Sequence, residues 1–433
     1  MTAEIAVLNR NAVALAADSA VTLTLPEGPK IYQTNKLFTL SKFWPVGVMI
    51  YGNADFMNVP WETIIKQYRA QLDKRSFARV EDYARDFLRY LERNSNFFSP
   101  DRQREYCYAL ARIWLLRLRN KLKSLIDEKI KSSGPVSERV VRSLFRSCVL
   151  EDISHLRRHK ALARFSAFTV TSFIRRYGSE IRKAIADGLQ KLGNVVSHTE
   201  LERGCALAIL RDLYWWNESG IVIAGFGSDE FLPSLRCFRV DAIIASRLRV
   251  QEDQGRRCDI KNTGMSASIV AFAQSDMVEL FMNGIDTDYS AFVHSFVAKS
   301  FLDGYPAMLS KILEKHLNRR RRARLLRSLR TVGRSLTLKL SEGIEAYARK
   351  RHSEPIIDIV NQLPKEELAA MAEALVNLTS FKRHVTRNAE TVGGPIDVAV
   401  ISRGDGFVWI KRKHYFTKEL NPHFLANYYM PGR

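Results

Sequence analysis

Residues 1–23, MTAEIAVLNRNAVALAADSAVTL, contain two apolar runs separated by a polar turn. The first run, at 4–8, has the composition of a β-strand, and Asn9-Arg10-Asn11 suits a tight turn. The second run, Ala12 to Ala17, is small and apolar and ends at Asp18. This stretch therefore predicts an antiparallel strand pair at the start of the fold.

Thr2 directly follows Met1 in this stretch. A residue as small as threonine permits methionine aminopeptidase to remove Met1, which leaves a free α-amino group on Thr2. A threonine hydroxyl beside its own α-amine combines a nucleophile and a base in one residue. Thr2 is therefore a candidate nucleophile, although Met-Thr also begins many proteins that have no such chemistry.

The remaining sequence alternates between strand-like and helix-like segments. Strands are predicted at 36–40, 46–51, 220–226, 235–244, 268–273 and in a closing hairpin at 396–413, and helices from Pro60, over 80–215, 277–302 and 316–351, and from Pro364. Strands at both ends and in the middle, with grouped helices between them, predict an α+β fold.

The charge is strongly positive, with 67 Lys and Arg against 46 Asp and Glu, a net charge of +21. Such a surface attracts nucleic acid, anionic membrane or an acidic protein. Five dispersed cysteines without a CxxC pair suit a reducing cytoplasm. We expect no secretion signal, no membrane span, no structural zinc and no cofactor.

One segment concentrates this charge, with arginines separated by leucines. An ordinary solvated helix and a site for an acidic partner or nucleic acid both remain open interpretations. The segment contains no aromatic residue, so stacking of bases is poorly supported. Its arginines are Arg319, Arg320, Arg321, Arg322 and Arg324.

A family resemblance rests on Thr2 followed by ALAADSAVT (14–22), NKLFTL (35–40) and GVMIYGNAD (47–55). In this order the segments resemble the proteasome β-subunit and HslV family of N-terminal-nucleophile hydrolases over about the first 95 residues. Weaker similarity continues at 221–229, 265–274 and 392–410. Together these pieces cover about half the chain.

The resemblance implies a four-layer αββα sandwich of two antiparallel sheets with helical insertions. The expected segments are a first core half at 1–96, a helical insertion at 97–215, continued core at 216–303, a basic helical insertion at 304–360, and a C-terminal core part at 361–433.

The resemblance also implies residue roles. Thr2 would attack the substrate carbonyl, Lys36 would lower the pKa of its hydroxyl, and Asp18 would orient the lysine. The amide of Tyr51, entering the turn at Gly52, would stabilise the oxyanion. Ser266 would bond near the terminal amine, and Thr22 and Ser19 would contact substrate.

Two positions depart from the family pattern. Tyr51 stands where the family usually has glycine, and its ring would narrow or close the substrate channel. The acid-x-x-serine before the final Gly-Gly is missing, because Ala389 and Val392 occupy those positions. Glu390 would then have to supply the acidic group one residue away.

The sequence thus predicts a cytoplasmic, homo-oligomeric threonine peptidase that cleaves amide bonds, with an unfoldase ATPase left open as a partner. Three alternatives remain. The chain is a catalytically inactive scaffold or adaptor, a basic nucleic-acid-associated defence component, or a hydrolase of small amides. Loss of Met1 distinguishes the scaffold from the enzymes.

Overall fold

The computed structural model describes residues 3–25, 28–94, 96–189, 192, 195–214, 217–385, 393–414, 416–423 and 426. The described residues form an α+β protein with antiparallel sheets and many helices, as the sequence predicts. Contacts divide the chain into two compact units. Unit 1 is Met1–Thr34, Ile260–Ser402 and Val408–Arg433, and unit 2 is Asn35–Asp259 and Arg403–Phe407.

The strands of the described residues are β1 (Ala3–Asn9), β2 (Ala12–Ala17), β3 (Ala20–Leu25), β4 (Gly28–Gln33), β5 (Leu37–Thr39), β6 (Val46–Gly52), β7 (Asp55–Phe56), β8 (Val59–Pro60), β9 (Ser219–Gly225), β10 (Ser234–Ile244), β11 (Arg247–Glu252), β12 (Cys258–Asp259), β13 (Ala267–Ala273), β14 (Asp397–Ser402) and β15 (Gly406–Lys411).

The α-helices are α1 (Trp61–Leu72), α2 (Val80–Arg93), α3 (Pro100–Ser133), α4 (Glu138–Arg158), α5 (Val170–Leu189), α6 (His198–Leu210), α7 (Asp276–Asn283), α8 (Thr287–Lys299), α9 (Tyr305–Ile312), α10 (Arg319–Ala348), α11 (Glu354–Val360) and α12 (Lys365–Val385). Two π-helical turns, Ser300–Gly304 and Arg349–Ser353, connect α8 to α9 and α10 to α11.

Unit 1 contains a five-stranded sheet in the order β13-β1-β2-β14-β15. Strand β1 pairs antiparallel with β13, so that Ala3 lies opposite Ala273 and Asn9 opposite Ala267. Since alternate side chains of a strand point to opposite faces, β1 supplies two sets of residues. Ile5 and Val7 point to one face of the sheet and pack in a core with α12. The side chains on the other face of β1, including Leu8, are buried as well. Both faces of this sheet are therefore covered.

Unit 2 contains a second antiparallel sheet, in the order β11-β10-β9-β6-β5, with β12 paired to β10. One face, which includes Val48 and Ile223, packs against helices α1 to α6 in a large apolar core. The opposite face carries Met49, Val222 and Cys237, which are fully buried as well. Burial on both faces explains why these strands are almost continuously apolar.

The helices α3 to α6 of unit 2 share this core. Their buried side chains include large aromatic and aliphatic residues on all four helices, such as Trp114, Phe145, Phe173 and Leu201. Gly134 ends α3, with a φ of +79°. This block is therefore part of the large apolar core of unit 2.

The helices α8 to α11 of unit 1 are packed differently. Across residues 287–360 the buried residues are Pro306, Gly333 and Val360. Many large apolar side chains on these helices are instead exposed, among them Phe292, Leu336 and Tyr347.

The five cysteines are free thiols and are buried. All five lie in unit 2. Within the described part of the chain, none of the helices combines the length and apolar character needed to cross a lipid bilayer.

Candidate functional site

The Asp18 side chain is held at the start of β1 in unit 1. Asp18 follows β2 and is only 1% exposed. Its Oδ1 accepts the N–H of Ala3 at 3.1 Å, and its own N–H donates to the Ala3 carbonyl at 3.1 Å. Its Oδ2 accepts the N–H groups of Gly393 at 3.0 Å and Ala20 at 3.3 Å. Three backbone donors thus hold this carboxylate in one orientation, and Ala3 is the residue that follows Thr2.

The loop at 393–395 completes this arrangement. Gly393 accepts the N–H of Ala20 at 3.1 Å, and Ser19 Oγ donates to the Pro395 carbonyl at 2.6 Å. Gly394 has a φ of +77°, and a Cβ there would lie 2.8 Å from Ser19 Oγ. Glycine is therefore required for the loop to approach Ser19.

The burial of Ser19 corrects its predicted role. Ser19 is fully buried, and its hydroxyl donates inside the unit. A hydroxyl in this position stabilises the loop at 393–395 and does not face a substrate. The other predicted substrate contact, Thr22, lies on β3 opposite Ile31 of β4.

Two predicted site residues lie outside the described residues. These are the nucleophile candidate Thr2 and the substitute acid Glu390.

Ser266 requires a second correction. It precedes β13, whose first residue, Ala267, lies opposite Asn9. The residue opposite Ala3 is Ala273, six residues further along. Ser266 is seven residues from Ala273, so at about 3.4 Å per residue it lies roughly 24 Å from the Ala3 end of the strand pair. Ser266 therefore lies at the end of the strand pair away from Ala3, which does not fit the role predicted for it.

The opposite end of β13 carries polar residues that the sequence interpretation missed. Gln274 follows Ala273 and is 5% exposed. Ser275 comes next, and its Oγ donates to Glu279 Oε1 at 2.5 Å. On β1 itself, the carboxylate-bearing Glu4 is fully buried opposite Ala17 and Phe272. The signal for Glu4 was an acidic residue at the head of an apolar strand.

Lys36 belongs to unit 2, at the junction before β5. Lys36 is only 4% exposed, and its backbone carbonyl accepts the N–H of Ile50 at 2.8 Å. Thr34, two residues earlier in the chain and part of unit 1, donates its N–H to the Ser19 carbonyl at 2.9 Å. A buried lysine is uncommon unless other groups compensate its charge, which makes Lys36 a strong candidate for a functional group.

The backbone of β6 distinguishes between the two predicted oxyanion donors. Successive N–H groups of a strand point to opposite edges. The N–H of Ile50 points to the β5 edge, where it bonds to Lys36, so the N–H of Tyr51 points to the β9 edge, opposite Gly220. The N–H of Gly52 returns to the edge shared with Lys36. Gly52, rather than Tyr51, is therefore placed to act as a donor beside Lys36.

Gly52 also has a conformation that other residues rarely adopt. Its φ is +82°, and an added Cβ would lie 2.5 Å from the Glu218 carbonyl oxygen. The N–H of Asn53 donates to this same oxygen at 3.1 Å. The turn after β6 therefore requires glycine at position 52.

The Tyr51 side chain lies inside unit 2. Its ring covers the Cα of Gly220, and its hydroxyl is 3.4 Å from Cys237 Sγ. Burial, reinforced by Cys237, raises the pKa of the Tyr51 hydroxyl far above its usual value. Tyr51 is therefore a core residue of unit 2. This corrects the expectation that its ring narrows or closes a substrate channel.

Among the described residues, no group of three or more His, Cys, Asp and Glu side chains is arranged to hold a metal ion.

Comparison with known proteins gives little support. No protein-family model matches the chain, and no curated protein matches it. An Anbu (Gly-1) mutant from Hyphomicrobium sp. strain MC1 aligns over 99% of this chain and 98% of its own, with 10% identity and a TM-score of 0.25. Anbu (ancestral beta-subunit) from Yersinia bercovieri aligns over 99% of both chains, with 9% identity and a TM-score of 0.24. Similarity at this level carries no argument about fold or activity.

The prediction that the chain is a proteasome β-subunit or HslV-like subunit is therefore wrong. No family model matches the chain, and the two solved structures named above share only 10% and 9% of its residues. The residues that suggested this membership are concentrated in the first 95 positions. The prediction therefore depended on short motifs in that part of the chain, although the similarity over the rest was weak.

Proposed function

We propose that this protein hydrolyses amide bonds with Thr2 as an N-terminal nucleophile after Met1 has been removed. One observation carries the proposal. The buried Asp18 carboxylate accepts the N–H of Ala3, so an immobilised negative charge lies one residue from Thr2. A buried carboxylate held by three backbone donors supplies a fixed negative charge that can position an amine.

The proposed reaction has two steps. The Thr2 hydroxyl oxygen attacks the substrate carbonyl carbon while the α-amine of Thr2 accepts the hydroxyl proton. The tetrahedral intermediate collapses to an ester on Thr2, and the amine product leaves with that proton. Water then attacks the ester, and the carboxylic acid product and the free hydroxyl of Thr2 are released.

Lys36 and Gly52 have supporting roles in this proposal. A buried ammonium at Lys36 lowers the pKa of a neighbouring hydroxyl, because it stabilises the developing negative charge. The N–H of Gly52 donates to the oxyanion from the strand edge that Lys36 shares. Glu390 remains a proposed second acid, and Thr22 a proposed contact to the substrate main chain.

We further propose a peptide substrate, a homo-oligomeric assembly and a four-layer αββα sandwich. In support of the sandwich, each unit has a sheet with helices on one face and buried apolar side chains on the other. A cytoplasmic location is in keeping with five buried free thiols. The five predicted sequence segments stay predictions.

The test is an intact mass measurement on protein expressed without an N-terminal tag. A β-lactone acylates a threonine hydroxyl and adds its whole mass. We expect loss of Met1 and a single adduct, which Thr2→Ala abolishes and Thr2→Ser retains. Asp18→Asn should slow adduct formation by at least about tenfold, since it removes the fixed charge. Retention of Met1 with no adduct would refute the enzyme and leave the scaffold.

A further inference from the structure

The α10 helix carries an exposed apolar stripe that no part of the proposed chemistry uses. Its residues recur at intervals of seven, four, four and seven positions, which places them on one face of a helix. Leu336, at the centre, is 46% exposed, and Tyr347, at the end, is 64% exposed. The full stripe is Leu325, Val332, Leu336, Leu340 and Tyr347.

The stripe lies beside, and not on, the packed side of α10. The packed side is marked by Gly333, where an added Cβ would lie 2.8 Å from the Phe301 carbonyl oxygen. Arg330 Nε donates to the Leu302 carbonyl on the same neighbouring segment, at 3.2 Å. The helix therefore already has its contacts within unit 1, and the stripe is a second apolar face. At 1.5 Å per residue it extends for about 33 Å.

The surroundings of the stripe are strongly basic. Residues 287–351 contain fifteen Lys and Arg against five Asp and Glu, a net charge of +10. The first half of α10, residues 319–334, contains eight arginines and no acidic residue. Within the described residues, the only ion pair among these eight joins Arg322 to Glu314, at 2.9 Å. Most of this positive charge is therefore available to a partner.

We propose that the α10 stripe is the docking site for an acidic amphipathic helix of another protein. A narrow apolar line with helical spacing is complementary to another helix, whereas insertion into a membrane surface uses a broad apolar face. Such a helix buries the leucines, and its flanking carboxylates meet the arginines.

Two other occupants fit less well. A second copy of this chain would bring Arg321, Lys339 and Lys350, which flank the stripe, close to like charges, and this costs free energy. Nucleic acid would satisfy the arginines, but a phosphate backbone has no apolar surface to cover Leu336 or Tyr347.

The test uses the full chain and two fluorescein-labelled 22-residue amphipathic peptides. Both peptides have leucine at helical spacing, one with glutamate at its polar positions and the other with lysine. We expect the acidic peptide to bind at least about tenfold more tightly by fluorescence anisotropy, and its binding to weaken as salt is raised. Equal binding of the two peptides, or of neither, would overturn the proposal.

Two variants distinguish specific binding at the stripe from nonspecific binding to the protein surface. Leu336→Glu should weaken binding of the acidic peptide by about tenfold or more, since it puts a like charge at the centre of the stripe. The matched control Leu150→Glu changes a leucine of similar exposure, 43%, on α4 of unit 2 and should leave binding unchanged. Equal effects of the two variants would contradict a specific site.

Two further measurements on the same protein test whether the stripe instead binds a second copy of the chain or a lipid surface. Light scattering after size exclusion would overturn the proposal if Leu336→Glu converts an oligomer to a monomer, because the stripe then contacts a second copy. Sedimentation with phosphatidylserine vesicles would overturn it in favour of lipid if vesicles bind through Leu336 and the acidic peptide does not. This site is independent of Thr2, so Thr2→Ala should bind the acidic peptide normally.

Discussion

The two helical blocks of this protein, α3 to α6 in unit 2 and α8 to α11 in unit 1, look alike in sequence and differ in packing. The first lies within the helical insertion predicted at 97–215. The second covers the end of the core segment predicted at 216–303 and the basic insertion predicted at 304–360. The first encloses a core in which Trp114 and Phe145 are completely buried. The second buries Pro306, Gly333 and Val360 and exposes its larger apolar side chains.

The difference shows what each block depends on. A helix gains most of its stability in proteins from packing its apolar face. The first block obtains this within unit 2, so its stability is set by its own side chains. The second block leaves apolar area that a partner has to cover, since large exposed apolar patches mark interaction sites. Helices α8 to α11 thus leave apolar surface for a contact, whereas α3 to α6 bury theirs in the core of unit 2.

The largest expected difference in the free energy of unfolding is between two side-chain truncations, Trp114→Ala and Leu336→Ala. Trp114 is fully buried on α3, and its Nε1 donates to Asp152 at 2.6 Å. Its ring also covers Gly204 of α6 so closely that a Cβ there would lie 2.1 Å away. Its removal should lower the free energy of unfolding by about 3–5 kcal/mol, against at most about 0.5 kcal/mol for exposed Leu336.

Urea unfolding followed by circular dichroism measures both variants. A loss above about 2 kcal/mol in Leu336→Ala would contradict the view that α10 has an unsatisfied face, because it would mean that this side chain is packed.

The second test uses alkaline pH, which should destabilise unit 2. Burial raises the pKa of Cys237 from 9.0 to about 12 and that of Tyr83 from 10.0 to about 12. In the unfolded chain these groups lose their protons first, so the unfolded state is favoured as pH rises from about 9 to 12. The free energy of unfolding should fall by about 1.4 kcal/mol per pH unit for each such group.

Tryptophan fluorescence reports this loss, because Trp44, Trp61 and Trp114 belong to unit 2 and the last two are buried in its core. The urea midpoint should decrease between pH 8 and pH 10.5. Tyr83→Phe removes one of the titrating groups and should make the decrease smaller. A midpoint that does not change with pH would contradict the burial of these side chains.

The strand pair β1–β2 and the α+β class could be predicted from sequence, because apolar periodicity and turn residues are local signals. The β3–β4 hairpin was not predicted, because Gly28 and Pro29, which begin β4, are uncommon in strands. Periodicity also predicted the helices of both blocks. It did not show that only one of them encloses a core, because that depends on which apolar faces meet.

The candidate site was predictable to a lesser degree. The prediction for Asp18 came from the family resemblance, and the structure places its carboxylate against the N–H groups of Ala3 and Gly393, which are distant in sequence. Ser266 was misplaced because both ends of β13 have similar composition, and only the register with β1 tells which end meets Ala3. The predicted oxyanion donor, the N–H of Tyr51, is one residue away from the N–H of Gly52 that faces the edge of Lys36. Adjacent N–H groups of a strand point to opposite edges, so a shift of one residue reverses the direction of the donor.

The smallest expected effects concern two glycines on α10, and they differ in sign. Gly343 has open space where a Cβ would lie, so Gly343→Ala should stabilise the helix by about 0.5–1 kcal/mol through lower entropy of the unfolded chain. Gly333→Ala should destabilise, because its Cβ would lie 2.8 Å from a backbone oxygen of Phe301. Thermal unfolding of the two variants measures the difference. If Gly333→Ala were also stabilising, α10 would lack the one close packing contact that separates its packed side from its stripe, and the contrast with α3 to α6 would extend to the whole helix.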